Sequence, residues 1–110
     1  MKKFISYGKN VYDHAEINAV IKTLKNSTQM GKSVSIFEKK IASMFGKKYG
    51  LMVNSGSSAL VLAFKSLNLK KGSEVITPCL NFGTAVSSIM LNDLVPVLVD
   101  VNIRTLQINP

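Results

Sequence analysis

Tryptophan is absent from this 110-residue chain, and cysteine, histidine and arginine each occur once. The lone Cys79 excludes an internal disulfide and fits a reducing cytoplasm. One histidine and one cysteine are too few soft ligands for a zinc site. No apolar run reaches the roughly 18 residues that span a bilayer. The start, Met-Lys-Lys-Phe-Ile-Ser-Tyr-Gly, has lysines but no apolar stretch behind them, so no secretory signal is expected and no membrane partner is inferred. Acidic residues are scarce: 6 Asp+Glu stand against 14 Lys+Arg, a formal charge of +8. Such an excess suits nucleic acid. Yet every base except Arg104 is a lysine, so the arginine forks that read bases are missing, and the aromatics do not track the lysines. A solvated basic surface without a nucleic-acid partner is the expectation.

Hydrophobic residues make up 46% of the chain and the mean hydropathy is +0.21, which excludes a disordered segment and is enough for one domain. Ile17, Val20, Ile21 and Leu24 recur at helical spacing and predict an amphipathic helix from Asp13 to Lys25. Residues 26–31 read as a loop. Val34, Phe37, Ile41, Met44 and Phe45 predict a second helix, with Ser33 as its cap and Gly46 closing it. A strand is expected over Tyr49–Val53, then a helix over Ser57–Leu67, apolar almost all round and therefore expected to be buried. Glu74–Pro78 predicts a strand, Asn81 or Phe82 to Leu91 a helix ended by Asn92-Asp93, and Val95–Asp100 a further strand beginning near Pro96. Strands alternating with helices imply an α/β fold, a mostly parallel sheet with covering helices and no internal boundary.

The chemistry concentrates in Asn54-Ser-Gly-Ser-Ser58, between the expected strand and the apolar helix. A helix start presents unpaired N–H groups and the positive end of the helix dipole, both suited to an anion. Gly56 has no Cβ to hold a guest away, Ser55, Ser57 and Ser58 offer hydroxyls, and no acidic residue lies between Lys39 and Lys71. The plain alternative is an ordinary N-cap. No Gly-Lys-Ser/Thr follows and no Gly-x-Gly-x-x-Gly is present, so neither a nucleoside triphosphate loop nor a dinucleotide fingerprint is indicated. In open α/β sheets ligands gather beyond the carboxyl ends of strands, which places Asn54–Ser57, Pro78–Phe82 and Asp100 on one rim. Cys79, with no histidine beside it, is expected to be a packed thiol rather than a nucleophile. His14 is expected to be solvated. Asp100 suits a cap or turn as well as a ligand contact.

Several motifs, in order and spacing, resemble one family. They are Gly31, Val34 and Phe37-Glu-Lys-Lys-Ile-Ala42; Phe45-Gly-Lys-Lys-Tyr49; Asn54-Ser-Gly-Ser-Ser-Ala-Leu60; Gly72-Ser-Glu-Val-Ile-Thr-Pro78; and Phe82 with Pro96-Val97 and Val99-Asp100. The chain is identified by them as a member of the DegT/DnrJ/EryC1/StrS group of nucleotide-sugar aminotransferases. The resemblance implies the N-terminal part of the large, cofactor-binding domain of a fold type I enzyme that uses pyridoxal phosphate. It assigns the cofactor phosphate to Gly56 and Ser57, and a ring-stacking role to Phe82, for which a core position at a helix start is the alternative reading. It further implies a nucleotide-linked keto-sugar and an amino-acid donor as substrates, a cytoplasmic homodimer, and a substrate contact across the dimer from the loop around Gln29–Lys32.

Some positions depart from the family pattern. Ser57 replaces a usual Thr and keeps the hydroxyl. Asn81 and Gly83 flank Phe82 where Thr and a β-branched residue are common. The run Leu80-Asn-Phe-Gly-Thr84 is similar to that of related sugar 3-dehydratases, which use pyridoxamine phosphate and carry His in place of the catalytic Lys. No lysine here matches that Lys, and no Asp matches the partner of the pyridine nitrogen. Both are expected beyond Pro110. The chain is thus expected to be an N-terminal fragment or truncated product that does not transaminate by itself, holding the phosphate cradle without the reacting groups.

Overall fold

The computed structural model describes residues 5–6, 8–26, 28 and 31–108, which form two compact units, residues 1–52 and 53–110. Gln29 and Met30 of the expected substrate loop lie outside the described residues.

Local chemistry sets the helix ends of the first unit. α1 runs His14–Asn26. Its start is a reciprocal cap: Asp13 Oδ1 accepts from Ala15 N at 2.7 Å, and Glu16 Oε2 accepts from Asp13 N at 2.8 Å. These bonds satisfy donors that a helix start leaves orphaned. α2 runs Lys32–Met44. Its N-cap is Gly31 with no side-chain cap, rather than Ser33, which falls inside the first turn. Gly46 closes α2 as expected. At φ +61 it turns the chain left-handed, Gly46 N donates to Ser43 O at 3.0 Å and Lys47 N to Ala42 O at 2.7 Å. That pair of bonds is the Schellman arrangement.

The expected strand Tyr49–Val53 is not formed. A strand persists only where a ladder partner takes up its backbone groups, and among the described residues this segment has none. Instead it lies on α2. Met52 N donates to Glu38 Oε1 at 2.8 Å, and Gly50 approaches so closely that an added Cβ would stand 2.7 Å from Glu38 O.

The second unit opens with α3, Gly56–Ser66, followed by β1, Glu74–Pro78; α4, Gly83–Met90; and β2, Val95–Val99. β1 and β2 pair in parallel from Glu74↔Val95 to Pro78↔Val99, with α4 as the crossover. The α/β expectation therefore holds. Two left-handed turns align the ladder: Gly72 (φ +81) donates its N–H to Asp93 O at 2.8 Å, Asp93 itself has φ +58, and Val95 N donates to Ser73 O at 2.9 Å. Thr77, Ser88, Ile89 and Leu94 are buried at the centre of this unit. Ser88 sits there at low cost because its hydroxyl donates to Ala85 O at 2.9 Å. After β2, Val101 and Ile108 form an antiparallel bridge.

α3 is not buried, contrary to its apolar pattern: none of its residues is, and Leu60 and Leu62 are exposed. Its half-buried positions, Ser58, Val61 and Phe64, follow one side of the helix, which packs against α4. The described residues supply one packing partner for a helix whose composition suits several. None of the described helices is long and apolar enough to cross a membrane.

Candidate functional site

The turn before α3 distributes its serines unequally. Ser55 is the N-cap, with β-region dihedrals and a side chain that accepts from Ser58 N at 3.1 Å. Ser55 Oγ also donates to Ser58 Oγ at 3.1 Å. These two hydroxyls, expected as ligand donors, are thus engaged with each other in capping. Ser57 Oγ and the N–H groups of Gly56 and Ser57 have no hydrogen-bond partner among the described residues. They stand at the positive end of the helix dipole. An added Cβ at Gly56 would meet nothing within 4 Å, so the backbone faces open space there. Two free amides, a free hydroxyl and a bare Cα make an approachable anion cradle.

The expected ring-stacking residue lies at the β1–α4 junction. Phe82 is the N-cap of α4, with φ −70 and ψ 134, and its N–H is held by Asn81 Oδ1 at 2.7 Å. Phe82 is 74% exposed, so no side chain among the described residues covers it. An exposed, backbone-anchored ring at a strand end is available to a planar ligand.

The second and third rim segments meet directly. Cys79 N donates to Val99 O at 2.9 Å, and Cys79 Sγ donates to Asp100 Oδ1 at 3.5 Å. The same Asp100 oxygen accepts from Val101 N at 2.7 Å, so Asp100 shapes the turn after β2. Cys79 is exposed rather than packed. No hydrogen bond among the described residues joins either segment to Asn54–Ser57; that link runs through the packing of α3 on α4. His14 is exposed at the start of α1, as expected. Among the described residues no cluster of three or more His, Cys, Asp or Glu could hold a metal.

Two features escaped the sequence. The Asp13/Glu16 cap was legible as an acidic pair three residues apart. Asn92, read as a helix breaker, donates from Nδ2 to Val61 O at 3.1 Å and to Ser88 O at 2.8 Å, tying α3 to the end of α4. Nothing local announces that second role.

Residues 10–110 match the profile of the DegT/DnrJ/EryC1/StrS aminotransferase family. The spore coat polysaccharide biosynthesis protein SpsC of Bacillus subtilis is 35% identical over 108 residues, covering 97% of this chain and 28% of SpsC. A dTDP-3-amino-3,6-dideoxy-alpha-D-galactopyranose transaminase of Aneurinibacillus thermoaerophilus is 37% identical over 81 residues, covering 74% of this chain and 22% of that enzyme. Among solved structures, E. coli GDP-4-keto-6-deoxy-D-mannose-3-dehydratase with bound hydrated PLP superposes with a TM-score of 0.85 at 33% identity, covering 92% of this chain and 28% of that one. The fold is that of fold type I enzymes, and the chain spans roughly a quarter of the length of such relatives.

Proposed function

The chain belongs to the DegT/DnrJ/EryC1/StrS aminotransferase family, and from that premise we propose that it forms the N-terminal part of the large domain of a pyridoxal-phosphate-dependent aminotransferase. The substrate class is a nucleotide-linked keto-sugar, with an amino acid as donor, in amino-sugar and surface-polysaccharide synthesis. Relatives that carry this reading are the galactopyranose transaminase and SpsC. The whole enzyme is a cytoplasmic homodimer.

The observation that carries the cofactor assignment is the start of α3. Its unpartnered Gly56 and Ser57 amides and the Ser57 hydroxyl fit a phosphate monoester, while the Ser55–Ser58 pair holds the turn rigid. Phe82 supplies a flat face for the pyridine ring from the start of the neighbouring helix. When bound, the cofactor supplies an electron sink for chemistry at the amino-bearing carbon. The residues of this chain bind and orient it; they do not move the proton.

Titration of the chain with pyridoxal phosphate, read by amide shifts of Gly56 and Ser57, tests the assignment. Gly56→Leu is the diagnostic variant. A Cβ there would meet nothing within 4 Å, so the fold is expected to tolerate the substitution while the space before the amides is filled. Saturable binding lost in Gly56→Leu is the expected result; unchanged binding in that variant sinks the cradle. With an amino donor and nucleotide keto-sugars added, the isolated chain is expected to show no turnover, and steady amino transfer would overturn the division of labour.

A further inference from the structure

We propose that Asn92 is a positioning residue that sets the span between the phosphate cradle and the ring-stacking Phe82. This rests on the cofactor reading above. The two halves of that site are carried by different helices: Gly56 and Ser57 form the first turn of α3, whereas Phe82 caps α4. Their separation therefore depends on where α3 sits along α4.

Apolar packing fixes that position poorly. The buried or half-buried residues of α4 are Thr84, Ala85, Val86, Ser88 and Ile89, and those of α3 are Ser58, Val61 and Phe64. Ser58, Ala85 and Ser88 are small and offer little to interlock, and burial is non-directional. One helical residue of slippage is about 1.5 Å, enough to take a ring off its stack while burying much the same area. Ser88 does not resist slippage, because its hydroxyl is satisfied within α4 by Ala85 O.

Asn92 does resist it. Both protons of its partly buried amide are committed, one to Val61 O in the middle of α3 and one to Ser88 O in α4. Asn92 lies just past the C-cap of α4, and among the described residues its bond to Val61 is the only side-chain hydrogen bond that reaches α3 from α4 or the turn that ends it. Hydrogen bonds weaken steeply with distance and angle, so this pair of bonds selects a single axial register.

The test exploits two ligands of different reach. Inorganic phosphate needs only the start of α3; pyridoxal phosphate needs α3 and Phe82 together. In Asn92→Leu, pyridoxal phosphate affinity falls several-fold, up to about tenfold, which is the full worth of an aromatic stack. Phosphate affinity, read from the Gly56 and Ser57 amides, stays unchanged. In a Phe82→Ala background, Asn92→Leu has no further effect, because the stack it positions is already gone. Asn92→Gln keeps the donor on a longer arm; it carries the test if the leucine variant fails to fold, and it too lowers pyridoxal phosphate affinity while sparing phosphate. The proposal is overturned if the variants weaken both ligands equally or neither, or if the losses from Asn92 and Phe82 add. Absence of pyridoxal phosphate binding by the unsubstituted chain overturns the cofactor reading and this proposal together, which separates the two failures.

Discussion

Residues 1–52 and residues 53–110 are built by different means. The first unit holds ten of the lysines against Asp13, Glu16 and Glu38, and among its described residues the one buried hydrophobic residue is Ala42. Its structure is specified at the helix ends, by the Asp13/Glu16 cap and by the Gly46 closure. The second unit is near charge balance, with Lys65, Lys70, Lys71 and Arg104 against Glu74, Asp93 and Asp100. Its structure is specified by pairing and packing between distant segments: the β1–β2 ladder, the buried Ile89 and Leu94, and the Asn92 link. A site assembled from two loops needs the second kind of construction. Local caps fix single helices, and only cross-connections fix one helix start against another.

This contrast is open to experiment. The largest effect is expected at Ile89, 1% exposed at the centre of the second unit. Ile89→Ala should cost about 3 kcal/mol and lower the urea midpoint of that unit. Val20→Ala, at a 58%-exposed position of α1, should change stability by less than about 0.5 kcal/mol. Equal losses at the two positions would remove the contrast.

Next in size is Gly46→Val. A β-branched residue forced to φ +61 should cost about 1–2 kcal/mol. Because the closure is local, amide exchange should rise over the last turn of α2 and leave β1 and β2 protected. Loss of protection in the ladder would show that the closure is not local.

Phe82→Ala sharpens the functional side of the comparison. An exposed ring contributes little to the fold, so stability should hold, while pyridoxal phosphate binding weakens by about 1 kcal/mol and phosphate binding does not. A fall in thermal midpoint without change in affinity would return Phe82 to a packing role.

Asp13→Ala should cost up to about 1 kcal/mol of α1 helicity by circular dichroism. The smallest effect belongs to the second unit's Lys71–Asp93 pair, 3.5 Å apart and largely exposed. Lys71→Ala should shift stability by about 0–1 kcal/mol, at the low end and less in salt. A larger loss would mean that the pair helps hold the turns at Gly72 and Asp93.

The sequence was most legible where structure is made by neighbours. Helix α1 was placed within one residue at each end, and Gly46 and the Glu74–Pro78 strand were located correctly. The errors fall where the outcome depends on partners elsewhere. Among the described residues Tyr49–Val53 has strand composition but no ladder partner, the apolar α3 has α4 as its packing partner and no buried residue, and Cys79 is exposed. The residues proposed for the site were all visible in the sequence, as a serine-glycine turn and an aromatic after a strand. Which serines remain free was not, because the Ser55–Ser58 pairing is a matter of rotamers and cap geometry.

What the sequence determined by itself is the family, the order of the six elements that form, the Gly46 closure and the residue types offered to a phosphate, since each depends on short-range pattern. Tertiary structure alone decided that Phe82 stands in the open and that Asn92 joins α3 to the end of α4. Those outcomes depend on which groups meet across long stretches of chain, and a hydrogen bond between Asn92 and Val61, 31 positions apart, leaves no local trace.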